Sequence, residues 1–233
     1  MPTLTRARAS DMPPVCALGL SDQTGSHGRE HHMSDGRAAN GTRRTQEQRS
    51  EATRAALADA AIDLLVERGW AAVSAVEVCK RVGVTRGAFH HHYVSVPSLL
   101  ADALRRVYAE MHSAKRPPAN DMVGLVDRTW AAISKPRFKA VLEAWLAMAN
   151  DPSLREEIGP VVAEFAELVR PEGNAARVLA EPSGRDFYLL AREAMLGLAL
   201  GRATNFDSKP LAHERRVLAL LRAQAATFDH PDH

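Results

Sequence analysis

Cysteine is nearly absent: only Cys16 and Cys79 occur in 233 residues. Two thiols cannot supply the disulfide framework of a small secreted domain, so a reducing cytoplasm is the expected compartment. Aromatic residues reach only 5%. With Ala, Leu, Arg and Glu abundant, this favours helices over strands. No long hydrophobic run exists. The longest, 194–200, is far short of the ~20 residues needed to cross a bilayer, so no membrane partner is expected. The stretch 12–18 is too short and too broken by Pro13 and Pro14 to read as the apolar region of a signal peptide. Neither sign of charge dominates, with 30 basic against 28 acidic residues and a net charge of +2, so nucleic-acid binding would have to rest on a localised patch. What is present, 45% hydrophobic and 25% charged residues, is the composition of a globular protein. The length fits one domain or two small ones, and an all-α fold is expected.

Residues 1–44 lack periodicity and are rich in Gly, Ser, Asp, Arg, Pro and His, including Ser26-His27-Gly28-Arg29-Glu30-His31-His32. Such a segment buries too little apolar surface to offset its ordering entropy, so it reads as a disordered, solvated tail, with Met33 an alternative start. Order is expected from Thr45. Thr45-Gln46-Glu47-Gln48 fits a capping box, and Leu57, Ala61, Leu64 and Leu65 then recur on one helical face. The spacing predicts a first helix over about 46–68, ended by Gly69. Ser74-Ala75-Val76-Glu77 is a second capping box, opening a short helix that closes at Gly83. Thr85 caps a third helix ending near Tyr93, and Pro97 suits the first turn of a fourth. Beyond Pro117-Pro118, helices are expected near 119–134, 137–149, 153–169, 173–180, 185–205 and 210–228. They are separated by Pro136, Asp151-Pro152, Pro171, Pro182-Ser183-Gly184 and Lys209-Pro210. No fixed-period repeat is seen.

Two short helices joined by a Gly turn and packed on a longer one make a helix-turn-helix. Val76, Val78, Cys79, Val82, Val84 and Phe89 supply its small core, with Cys79 a buried core residue and not a redox sensor. Gly83 permits the turn. Gly87 leaves the third helix bare enough for close approach of a phosphate or base edge, with Arg86 beside it and at least two of His90, His91 and His92 facing outward.

Over about 51–111 the chain resembles the TetR family of bacterial transcriptional regulators. The resemblance is carried by Glu67-Arg68-Gly69-Trp70, Ser74, and the run Gly83-Val84-Thr85-Arg86-Gly87-Ala88-Phe89-His90-His91-His92-Tyr93, followed by Ser95 and Leu99-Leu100. It implies an N-terminal three-helix helix-turn-helix DNA-binding domain (45–111, reading motif 74–93) and a larger helical ligand-binding and dimerisation domain (112–233). It places the third helix in the major groove. Arg86 would meet a phosphate or a guanine edge, and Thr85 and Gly87 would meet phosphate. Ser74, His90, His91, His92 and Tyr93 would complete the DNA-contacting set. Two departures stand out: His90 occupies the family's usual Tyr position, and Val96-Pro97 its usual Lys-Glu. Losing that cation would shift phosphate binding toward Arg43, Arg44 and Arg49 at the N-terminal arm.

The His90-His91-His92 triple is not expected to hold a metal, because consecutive helical positions diverge by about 100°. No nucleophile–base, paired-carboxylate or Gly-rich phosphate signature appears, so neither a cofactor nor an enzymatic activity is expected. At the chain's end, Leu189, Leu190, Ala194, Leu198 and Gly201, then Leu211, Val217, Leu218, Leu221, Ala225 and Phe228, outline two amphipathic helices, with Ala194, Gly197 and Gly201 allowing close approach. The resemblance implies that these build a homodimer, spacing two recognition helices to read a palindromic operator. It also implies a pocket for a small, mostly apolar effector, for which Trp130, Trp145, Met148, Phe165 and Tyr188 are candidate lining residues. The resulting expectation is a sequence-specific regulator, a repressor released by its effector. The alternative is a helical interaction or ligand-buffering protein that keeps the fold with weak DNA binding.

Overall fold

The computed structural model describes residues 39–111, 119–168, 171–205 and 209–230, with the backbone alone at 39–44 and 165–168. Among these residues there are ten α-helices, one 3-10 turn and no strand: α1 (Ala39–Arg68), the turn Trp70–Ala72, α2 (Ala75–Val82), α3 (Arg86–His92), α4 (Val96–Met111), α5 (Met122–Ile133), α6 (Phe138–Asn150), α7 (Pro152–Leu168), α8 (Gly173–Ala180), α9 (Pro182–Thr204) and α10 (Glu214–Asp229).

α1 starts at Ala39, well before the start that the capping pattern at Thr45 suggests, so Thr45 lies inside the helix. A Thr-x-x-Gln pattern marks a start only when nothing before it continues the helix, and 39–44 continue it. Of the tail expected at 1–44, residues 39–44 are therefore helical, and 1–38 lie outside the described residues. α9 likewise begins at Pro182, so Pro182-Ser183-Gly184 is the helix's first turn and not a break. Proline at that position gives up only an N–H that has no partner anyway. Gly184 is required there, because a Cβ would stand 2.3 Å from the Val178 carbonyl oxygen of α8. α10 starts at Glu214, later than expected.

The first four helices close around Leu57, Ile62 and Leu65 of α1, Phe89 of α3, and Leu99, Leu100 and Leu104 of α4, each fully buried. Burial of side chains this size supplies roughly 1.5–3 kcal/mol apiece. α6 and α7 lie against α1 and α4. Arg137, just before α6, bridges Asp59 of α1 (2.9 Å) and Glu110 of α4 (2.5 Å), while Glu143 on α6 accepts a hydrogen bond from the Trp70 backbone N–H (3.2 Å).

The remaining helices form a second packed group in which α5 lies between α10, α8 and α9. The N-terminus of α5 is capped twice. Asp121 accepts from the Gly124 N–H (2.7 Å), and Asp229, at the far end of α10, accepts from Met122 N–H (2.8 Å) and Val123 N–H (3.1 Å). At the other end, Glu214 is buried and paired through both oxygens with Arg202 of α9 at 2.6 Å each. The same guanidinium donates to the Ser134 carbonyl and lies over the Trp130 ring, 4.9 Å from its centroid. A buried carboxylate is tolerated only with such complete pairing. No helix among the described residues is long and apolar enough to cross a membrane.

Candidate nucleic-acid interface

The local chemistry of 74–93 builds the motif step by step. The Ser74 hydroxyl oxygen accepts from the Glu77 N–H (3.2 Å), capping α2. The box is only half formed, since the Glu77 carboxylate pairs with Arg68 (2.9 Å). Gly83 ends α2 in the left-handed region (φ 76°), which glycine enters without the Cβ penalty other residues incur. Thr85 then caps α3, its hydroxyl oxygen accepting from the Ala88 N–H (3.2 Å), which leaves its proton for an outside acceptor. Ser95 and Ser98 cap α4 reciprocally through their hydroxyls (3.1 and 3.2 Å), a pair that sequence reading passed over in favour of Pro97.

Phe89 turns into the core, as do Val78 and Cys79, whose thiol donates to the Thr85 carbonyl (3.6 Å). Val76 is not part of that core: it lies in the first turn of α2 and is 54% exposed. Arg86, Gly87, His90 and His91 are all exposed. Their i, i+1, i+4, i+5 spacing puts them on the face of α3 opposite Phe89. Arg86 and the exposed Lys80 of α2 form no ion pair among the described residues, whereas Arg81 is held by Glu67 (2.8 and 2.5 Å). A Cβ on Gly87 would meet only the Thr85 hydroxyl oxygen, at 3.7 Å, so the protein's own packing does not demand glycine there. His92 is half-buried; burial, then the charges of His91 and Arg54, lower its proton affinity below the usual histidine value.

Tyr93 does not join the exposed face. It is 4% exposed, and its hydroxyl donates to Asp102 on α4 (2.6 Å) and lies 3.1 Å from the Arg54 carbonyl oxygen. Burial and the bond to Asp102 raise its pKa far above the usual phenol value. Its expected role as a DNA contact is therefore corrected: it anchors the end of α3. Arg43 and Arg44 fall in α1, where only the backbone is described.

Four of the five candidate effector-pocket residues have described side chains, and each has contacts of its own. Trp130 is sealed beneath Arg202, and the buried Tyr188 shares a hydrogen bond with Thr129 (3.1 Å). Trp145 meets Phe138 edge-on (5.8 Å), while Met148 is buried further along α6. The Phe165 side chain lies outside the described residues. Sequence reading missed Arg54, Asp102, Arg137 and Glu143, the polar residues that tie helices together, because charged residues at helical spacing carry no mark of their partners.

Residues 57–103 match the family model described as bacterial regulatory proteins, tetR family. The HTH-type transcriptional regulator CymR of Pseudomonas putida is 27% identical over 197 residues, covering 80% of this chain and 97% of the relative. An uncharacterized HTH-type transcriptional regulator of Mycobacterium tuberculosis (strain ATCC 25618 / H37Rv) is 31% identical over 143 residues, covering 58% of this chain and 72% of that protein. Among solved structures, a transcriptional regulator from Rhodococcus sp. Rha1 superposes with a TM-score of 0.57 at 22% identity, covering 75% of this chain and 96% of the other, and so shares the fold. With the helix-turn-helix geometry and these relatives together, the chain belongs to the TetR family and is a DNA-binding transcriptional regulator.

Proposed function

We propose that the protein is a cytoplasmic, non-enzymatic homodimeric repressor that reads a palindromic operator and leaves it when a small, mostly apolar effector binds within 112–233. The observation that carries the DNA-reading part is the exposed face of α3, where Arg86, with no ion pair among the described residues, stands beside the bare backbone of Gly87. Arg86 is assigned to a guanine edge or a phosphate. Ser74, Thr85, Gly87, His90, His91 and His92 are assigned to phosphate and base contacts, and Arg43 and Arg44 to the adjoining backbone. The 45–111 segment, lengthened to start at Ala39, acts as the DNA-binding domain.

Support for the homodimer comes from the apolar side chains left uncovered on the last two helices: Leu190 (68% exposed) and Leu200 of α9, and Leu220 (70%) of α10. Support for effector control comes from α6. It carries Trp145 and Met148 and also grips the DNA-binding half through Glu143, with Arg137 at its start. A ligand that binds one spacing of the two heads better than another shifts the population toward it, and only to the extent of that difference in affinity.

The test is an electrophoretic shift with the DNA upstream of the protein's own gene at two salt concentrations. A discrete complex that weakens as salt rises is expected, because each phosphate contact releases condensed counterions. An absent or salt-insensitive shift would remove the operator assignment.

A further inference from the structure

Three helices meet at one carboxylate oxygen just below the end of α3. Oδ2 of Asp102 on α4 accepts from the Tyr93 hydroxyl (2.6 Å) and from Nε of Arg54 on α1 (3.1 Å). The Arg54 guanidinium lies over the Tyr93 ring, 5.7 Å from its centroid. Tyr93 directly follows the last residue of α3, so this guanidinium is stationed where the DNA-reading helix ends, next to His92 and ahead of the 85%-exposed Val94.

Asp102 is well covered (18% side-chain exposure), yet the Arg54 side chain is 47% exposed. The carboxylate engages Nε, the atom nearest the stem, and the half-exposed Arg54 side chain has no other ion pair among the described residues. A guanidinium fixed by its inner nitrogen and by an aromatic face has already lost much of the rotamer freedom that a phosphate contact would otherwise have to restrict. Of the neighbouring acids, Asp102 is engaged by Tyr93, and Glu51, one turn earlier on α1, pairs with Arg106 (3.6 Å).

We propose that Arg54 is a phosphate-binding residue of the DNA interface, held ready by Asp102 and the Tyr93 ring. It supplies a fixed cation where the duplex backbone passes the C-terminal end of α3. The contact is to the sugar-phosphate backbone, so it positions the head without selecting a sequence.

The test uses the full chain and a mixed-sequence duplex a few helical turns long, titrated by fluorescence anisotropy over a series of KCl concentrations, with melting temperatures measured in parallel. Arg54→Gln is expected to weaken binding several-fold and to reduce the slope of log affinity against log salt by about one, the signature of one lost phosphate contact. Arg54→Lys, which keeps the charge, restores the slope while recovering only part of the affinity. Arg177→Gln on α8, which removes the same charge far from α3, keeps the wild-type slope. The proposal is overturned if Arg54→Gln binds with the wild-type slope, whether or not its melting temperature falls. It is equally overturned if Arg177→Gln reproduces the change in slope, since that would reduce the effect to net charge.

Discussion

At the level of single residues, the DNA-reading face separates into side chains free to act and side chains already engaged. Arg86 is exposed and unpaired among the described residues, so truncating it breaks no internal bond. Arg86→Ala is expected to lower operator affinity by about 1–3 kcal/mol while leaving the melting temperature unchanged. Unchanged affinity in a quantitative shift assay would take Arg86 out of the reading set. His92 behaves differently. Its pKa is depressed in the fold, chiefly by burial, so the unfolded chain binds the proton more readily. The stability it contributes is present above the usual histidine value and is lost as pH falls through that value toward the depressed one. The melting temperature should accordingly fall on going from neutral pH to pH ~5, and His92→Gln should shrink that fall. If the two proteins lose stability in parallel, another group is responsible. Residue type alone identified Arg86, Gly87 and Cys79 correctly as to exposure. It failed at Tyr93, whose hydroxyl reads as polar but finds its partner, Asp102, on a helix nine residues further along the chain. It failed at Val76 for the converse reason: an apolar side chain reads as core, but here it is 54% exposed while Val78 and Cys79 take the buried positions of α2.

Among the elements, the motif was legible because its punctuation is local. Ser74, Gly83 and Thr85 each act on backbone groups within four residues, and α2, α3 and α8 fall within a residue of where the pattern puts them. Two of the displaced helix starts, those of α1 and α9, share a different cause. Continuation of α1 to Ala39 and the beginning of α9 at Pro182 depend on whether neighbouring turns are compatible with helix, and for Gly184 on how closely α8 approaches. Gly83 offers a clean measurement, because nothing lies within 4 Å of where its Cβ would stand. Gly83→Ala should therefore destabilise only through the left-handed backbone, by about 1–2 kcal/mol in urea unfolding. Gly184→Ala carries no left-handed penalty, since Gly184 lies within α9, yet it should cost more, because the added methyl collides with the Val178 carbonyl. Equal losses at the two sites would contradict this division between conformational and steric cost.

For the molecule as a whole, the small-residue pattern on α9 and α10 served two purposes that sequence could not tell apart. Gly201 is small for an internal reason: a Cβ there would come within 2.7 Å of Leu211, so it lets the chain turn back onto α9. Leu198, Leu218 and Ala225 likewise face inward, and Phe228 stacks on Phe187 at 5.2 Å. Leu190, Gly197 and Leu200 form a separate outward row on α9, with Leu220 outward on α10. A second copy related by a two-fold axis would cover this row with the same row, since such an interface is self-complementary. It would also fix the separation of two α3 helices, which a palindrome requires at about one helical turn or somewhat more. Placing like charges across that axis should then undo both at once. The double variant Leu190→Glu, Leu220→Glu is expected to run as a monomer in light scattering. Because both side chains are exposed, its helical circular dichroism should stay intact. It should also lose binding to an operator carrying both half-sites far more than to a single half-site, since only the former depends on two linked heads. If the variant remained dimeric, the outward leucines would not be the contact surface and the spacing of the heads would have to be set elsewhere.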